Sequence, residues 1–184
     1  MTEPAPRPRI VLDASAALAI LRAETDRAAI DVVIDRHRAA GGRLLVPDVF
    51  WLEVANGLVR RFISSPNQVV EALRALDDLE IESIRLDRPQ LLVAIDLATR
   101  HRLSAYDAAY LTLALAEDAP LLTLDARLAI AAGERAIRLD GAQPHRLAEA
   151  PTAYDSESVD WSRFGSYLAL LRADARAGTG AGAG

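Results

Sequence analysis

The sequence predicts an α/β fold with a mostly parallel central sheet, and three observations lead there. Short apolar runs alternate with longer segments of helical periodicity, the pattern of strands joined by helical crossovers. Two of those runs stop at an acid: Arg9-Ile-Val-Leu12 meets Asp13, and Pro120-Leu-Leu-Thr-Leu124 meets Asp125. Hydrophobic residues make up 51% of the 184, enough for a sizeable core.

Taken in order, Arg9–Leu12 reads as a buried strand and Ser15–Leu21 as a helix. Thr25 or Asp26 caps a second helix running towards Arg38, and Gly41-Gly42 breaks the chain. Leu44–Val46 is a strand closed by Pro47. From Asp48 a helix carries an apolar stripe of Trp51, Val54, Ala55, Leu58 and Phe62. Pro66 opens a helix to about Leu79, and Ile81–Leu86 alternates like a strand. Pro89–His101 reads as a helix, Ser104 caps the next one to about Asp118, and Pro120–Leu124 is a strand. Asp125 can cap a short helix over Ala126–Ala131, and Ala136–Leu139 is expected as a last short strand. The composition then changes. Residues 141–158 read as a linker, 159–176 as an amphipathic helix with Phe164, Tyr167, Leu168 and Leu171 in its stripe, and 177–184 as a disordered tail.

Composition closes several doors. There is no cysteine, so disulfides, zinc–thiolate sites and cysteine nucleophiles are excluded. All 21 basic residues are arginine, which excludes Schiff-base and P-loop lysine chemistry while leaving the forks that suit phosphate. A net charge of −5 argues against a protein that simply coats nucleic acid, but not against an enzyme whose cations offset clustered carboxylates. No apolar run is long enough for a membrane span, Met1–Pro8 lacks the apolar core of a signal peptide, and a reducing cytoplasm is the expected compartment. His37, His101 and His145 are scattered without triad partners and receive no role.

Four acids remain, each with an ordinary structural explanation. Asp13 and Asp125 follow strands and suit helix N-caps. Asp107, three residues after Ser104, completes a capping box with Asp in the Glu position, although Ala105, Ala108 and Ala109 around it would let a ligand or backbone approach closely. Glu53 shares a helix face with Asn56, Gly57 and Arg60, away from the apolar stripe, and alone would be a solvated residue. Together they are more telling. In parallel sheets ligands bind beyond the carboxyl ends of the strands, where Asp13 and Asp125 stand, and two acids on neighbouring helices can converge on the same mouth.

Read as a set, Ile-Val-Leu-Asp13-Ala-Ser-Ala, Trp-Leu-Glu53-Val-Ala-Asn, Leu-Ser-Ala-Tyr-Asp107-Ala-Ala-Tyr and Leu-Leu-Thr-Leu-Asp125 resemble the PIN domain, and most closely the VapC toxins of bacterial toxin–antitoxin pairs. The resemblance spans about residues 9–140 and implies a three-layer α/β/α fold. It further implies a metal-dependent endoribonuclease, with Asp13, Glu53, Asp107 and Asp125 as catalytic and metal-holding residues and Ser15 and Thr123 supporting them. Carboxylates crowded into one cleft repel unless a cation joins them, and with no thiolate present Mg²⁺ (or Mn²⁺) is the expected cofactor. Arg60 and Arg61 are candidates for steering an RNA backbone. The family likeness also implies an RNA substrate, a cognate antitoxin and a homodimer. The segment after Leu139 has no counterpart in a compact member. A haloacid-dehalogenase-like phosphatase would need a second Asp where Ser15 stands. A catalytically silent PIN-like binding module is the remaining alternative, and its members would be expected to lose one or more of the acids.

Overall fold

The computed structural model describes residues 7–61 and 66–139. The linker, C-terminal helix and tail expected beyond residue 139, and Phe62 of the third helix, lie outside them. Four strands form the sheet: β1 (Arg9–Leu12), β2 (Arg43–Pro47), β3 (Glu82–Ile84) and β4 (Leu121–Leu122). The helices are α1 (Ala14–Arg22), α2 (Arg27–Ala39), α3 (Phe50–Arg61), α4 (Pro66–Asp77), α5 (Arg88–His101), α6 (Ala105–Ala116) and α7 (Ala126–Ala132), followed by a 3₁₀ turn over Gly133–Arg135. Among the described residues no helix is long and apolar enough to cross a membrane.

All strand pairs are parallel, in the order β3-β2-β1-β4. Register is set by apolar pairs such as Ile10 with Leu44 and Leu12 with Leu122. Val11, Leu12, Leu44, Leu45, Val46, Leu121 and Leu122 are all buried, as expected for strands covered on both faces. The order also fixes where the helices go. The chain steps from β1 to β2 to β3 in one direction, then crosses back to β4, and right-handed crossovers place the two sets of helices on opposite faces. Accordingly α1 packs on α2 and α3, and α3 on α4, while α5 packs on α6 and α6 lies against β1, β2 and β4. The direction of winding reverses between β1 and β4. A crevice opens at such a switch point, and Asp13 and Asp125 follow those two strands.

Several boundaries differ from the sequence expectation, for identifiable reasons. β4 is shorter than Pro120–Leu124 because the Leu124 amide donates to the Ser15 hydroxyl (2.9 Å) and so leaves the ladder. With β4 reduced to two residues, the expected strand at Ala136–Leu139 shrinks to one bridge, Leu121 with Ala136, plus a bond from the Ile137 amide to the Leu121 carbonyl (2.8 Å). β3 is an edge strand that pairs on one side only and covers Glu82–Ile84 rather than Ile81–Leu86. Asp26 occupies the N-cap of α2 without a side-chain bond, and α4 ends at Asp77. Asp87, not foreseen as a cap, forms a reciprocal box with Gln90 at the start of α5.

In α3 the buried stripe is Phe50, Val54 and Leu58. Trp51, assigned to that stripe from sequence, instead sets its ring edge-on to Phe50 and donates its indole N–H to the Ser83 hydroxyl (2.8 Å). Gly57 lets α3 approach α1: a Cβ there would stand 2.6 Å from Leu18 Cδ1. His37 closes the α2–β2 connection: its Nε2 lies 3.0 Å from the Arg43 carbonyl oxygen, and its ring lies against Gly42, where a Cβ would collide with it. Its role is structural.

Phe50→Ala is expected to cost about 3–5 kcal/mol in urea denaturation, the scale for emptying a buried aromatic site. Trp51→Ala is expected to cost less, about 2 kcal/mol, the scale of its described hydrogen bond plus the edge-on contact with Phe50. A larger loss for Trp51 would return the stripe to its sequence assignment.

Candidate active site

The mouth of the sheet at the β1/β4 switch is a cavity of about 520 Å³, whose walls include Asp13, Glu53, Asp107 and Asp125. Three of the four reach it from helix N-termini, Asp13 and Asp125 as N-caps and Asp107 as the third residue of a capping box. Asp13 leaves β1 in an extended conformation and accepts from the Ser15 amide (3.3 Å) at the start of α1. Asp107 shares a capping box with Ser104 at α6: its Oδ2 accepts from the Ser104 hydroxyl (2.8 Å) and amide (3.3 Å). Asp125 accepts from the Leu128 amide (2.8 Å) at α7. Capping and a place in the cavity are therefore not alternatives for these acids. Glu53 arrives differently, from the first turn of α3, and accepts from the Tyr110 phenol of α6 at 2.6 Å. Asn56, Gly57 and Arg60 line the cavity beside it, as the helical spacing predicts.

Asp13 is the most enclosed of the four, 4% exposed. Every described hydrogen bond to its carboxyl ends on Oδ2: from the Ser15 hydroxyl, the Ser15 amide and the Thr123 hydroxyl (2.8 Å). The two hydroxyls accept in turn, Ser15 from the Leu124 amide and Thr123 from the Asp125 amide (3.0 Å). Ser15 lies on the cavity wall; Thr123 stands behind Asp13 and is buried.

Burial pushes the Asp13 carboxyl above its usual range, against the pull of the Ser15 and Thr123 hydrogen bonds, and the nearby Asp107 charge adds to the rise. Glu53 is also raised, first by burial and further by Asp13 and Asp107, with the Tyr110 hydrogen bond opposing. Burial, then the Glu53 hydrogen bond and the Glu53 and Asp13 charges, push the Tyr110 phenol far above the usual tyrosine range, partly offset by the Ala14 amide. It stays protonated and remains a donor.

The donor set fits a hard divalent cation. Each acid commits one oxygen to a neighbour, Oδ2 of Asp13 and Asp107, Oε2 of Glu53 and Oδ1 of Asp125, and no described hydrogen bond reaches the other. Ligating carboxylates need such hydrogen-bonded support, and hard cations take carboxylate oxygen. The arrangement is open: among the described residues, no three acids or histidines are gathered closely enough to form a ligand set by themselves.

Arg60 lines the cavity; Arg61 ends α3 in backbone, and its side chain lies outside the described residues. Two further residues went unassigned in the sequence. Arg22 lines the cavity from the last turn of α1, paired with Glu24 at 2.9 Å. Its signal was the spacing Ser15, Leu18, Arg22, one helical face. Tyr110 lies three residues after Asp107 on α6, a spacing that puts both on one face.

A PIN domain profile matches residues 10–134, well over half of the chain, and the protein belongs to the PIN domain family. Ribonuclease VapC1 of Mycobacterium tuberculosis, from two strains, is 38% identical over 88 residues, which is 47% of this chain and 66% of that protein. The likeness thus spans slightly less than two thirds of the relative's own length. In solved structures the fold recurs in PAE2754 from Pyrobaculum aerophilum, with a TM-score of 0.52 at 24% identity, covering 72% of this chain and 90% of that one. It recurs also in a toxin–antitoxin complex from Klebsiella pneumoniae, with a TM-score of 0.53 at 15% identity, covering 71% of this chain and 97% of that one.

A carboxyl with a raised folded-state pKa holds its proton longer in the fold than in the unfolded chain, so folding loses stability as pH climbs from the unfolded value towards the folded one. Asp13→Asn should therefore raise the denaturation midpoint of the protein in EDTA at pH 7–8. That advantage should shrink as pH falls towards the ordinary aspartate value of 3.8. A variant less stable than the parent at neutral pH would contradict this account of the buried charge.

Proposed function

We propose that this PIN domain is a metal-dependent endoribonuclease, the toxin of a toxin–antitoxin pair, which hydrolyses RNA phosphodiester bonds to leave a 5′-phosphate. The observation that carries the proposal is the meeting of Asp13, Glu53, Asp107 and Asp125 in one cavity at the switch point of the sheet. The likeness to Ribonuclease VapC1 supports it. Asp13, Asp107, Glu53 and Asp125 would hold Mg²⁺ or Mn²⁺. When bound, the cation supplies charge stabilisation to the phosphodiester and lowers the pKa of an attacking water.

The chain's own residues do the positioning. Ser15 and Thr123 fix Asp13 through Oδ2, Ser104 fixes Asp107, and the Leu128 amide fixes Asp125. Arg60 on α3 and Arg22 on α1 offer guanidinium forks to the phosphate backbone at the rim of an otherwise acidic cavity. A cognate antitoxin that covers the cleft, assembly as a homodimer and work in the cytoplasm complete the proposal.

The full chain is expected to cleave a mixed RNA pool with Mg²⁺ or Mn²⁺, to stop in EDTA, and to lose about a hundredfold or more with Asp13→Asn, the scale of removing a preorganised charge-stabilising group. Folded protein that neither cleaves RNA nor binds a divalent ion would instead be the silent binding module. Arg22→Ala and Arg60→Ala are each expected to raise KM about tenfold with kcat little changed, near the value of one charge-assisted hydrogen bond. An unchanged KM in both would remove the arginines from the RNA path.

A further inference from the structure

Among the described residues, Tyr110 is the one wholly buried hydroxyl group in direct contact with a cavity acid that the capping and hydroxyl network around Asp13 leaves unexplained. It is fully buried on α6, a helix that packs on β1, β2 and β4, yet its hydroxyl reaches Glu53 on α3, 57 positions away in sequence. The phenol therefore ties α6 to α3 at the mouth of the sheet. A core position in this fold would more cheaply hold phenylalanine, because a buried hydroxyl needs a partner to offset its desolvation. The partner here is a charged group. At 2.6 Å the bond is short and charge-assisted, and it takes Oε2 alone.

The same contact limits what Glu53 can do. A glutamate in the first turn of a helix has three side-chain torsions to fix before its carboxylate occupies one place. The other three acids are fixed by caps within their own chain segment, through Ser15, Ser104 and Leu128. Glu53 has no such local cap; its described hydrogen bond comes from Tyr110. With Oε2 held, Oε1 is the oxygen left for the cavity.

We propose that Tyr110 is a positioning residue, whose phenol fixes the Glu53 carboxylate on the cavity wall and thereby sets the protein's affinity for a divalent cation. This rests on the reading of the four acids as the holders of that cation. Hydrogen-bond partners behind a ligating group commonly govern metal affinity by about 10–100-fold. Tyr110→Phe removes one oxygen and leaves the ring in the core.

The test is Mn²⁺ binding to the full chain, read by electron paramagnetic resonance of the free ion, for the parent, Tyr110→Phe, Glu53→Gln and the double variant, well below their melting temperatures. Tyr110→Phe is expected to raise the Mn²⁺ Kd about tenfold. Because Tyr110 acts through Glu53, it should add nothing in the Glu53→Gln background. An unchanged Kd in Tyr110→Phe overturns the proposal, and so does a full additional loss in the double variant. A merely structural tyrosine would lower the melting temperature in EDTA without moving the Kd. A parent protein that binds no Mn²⁺ overturns the cation reading itself, and this proposal with it. One readout needs no variant to fold: with ¹³Cζ-labelled tyrosine, Mg²⁺ addition is expected to shift the Tyr110 signal of the parent, and a signal that does not move counts against the proposal.

Discussion

The burial of the Asp13 carboxylate is the constraint on which the rest of this structure depends. A charge removed from water is costly unless hydrogen bonds or an opposite charge replace the lost hydration. Here the replacement comes from two hydroxyls and an amide, all on Oδ2. Those hydroxyls also accept the amides of Leu124 and Asp125, so the carboxylate organises the loop beyond β4 as well as the start of α1. The parallel ladder between β1 and β4 is only two residues long. Past its end, the Ser15–Asp13–Thr123 network takes over what backbone pairing does elsewhere in the sheet. Even so, burial keeps the carboxyl above its usual range. The compensation is incomplete, and a cation would complete it.

The same atoms serve folding and the proposed chemistry, with a division of labour inside each carboxylate. One oxygen of Asp13 and of Asp125 caps a helix, and one oxygen of Asp107 closes the capping box of α6; the other oxygen of each takes no described hydrogen bond. Capping places three helix N-termini, of α1, α6 and α7, behind the acids. Their partial positive ends favour the ionised forms that mutual repulsion and burial oppose. An asparagine in any of these places could still cap. It would not bring the charge a cation needs, which is why replacements of this kind separate folding from function.

What the sequence made legible followed from local rules. Asp13 and Asp125 were visible because an apolar strand that stops at an acid leaves the acid at the end of the sheet. Asp107 was visible through Ser104 three residues earlier, and Glu53 through the phase it shares with Asn56, Gly57 and Arg60. The strand order needed the structure. So did the identity of the buried aromatic in α3, because Phe50 and Trp51 are adjacent and a difference of one residue turns the stripe by about 100°. Sequence favours the larger ring for the core; the structure buries Phe50, which has no polar atom to satisfy, and leaves the indole N–H to reach Ser83. Tyr110 and Arg22 were missed for another reason. Each lies on an otherwise apolar or mixed helical face, and its meaning comes from a residue on a different segment: Glu53 for the phenol, the cavity acids for the guanidinium.

That pairing of Arg22 and Arg60 with four acids bears on how an acidic chain could take a polyanion at all. A net charge of −5 gives no general attraction for RNA. Any attraction has to be local and depend on which groups face the cleft. Arg22 is held close to the protein by Glu24 at 2.9 Å, and Arg60 stands one helical turn beyond Asn56 on the Glu53 face. The arginines flank the acids from α1 and α3, two helices that Gly57 lets pack closely. In the proposed reading a phosphate would meet the two guanidinium groups first and a neutralised carboxylate cluster within. Without the cation the same cluster repels it. In that reading metal occupancy would govern entry of the substrate as well as its hydrolysis, because the charge that the buried carboxylates cannot offset among themselves is the charge an incoming phosphate would meet.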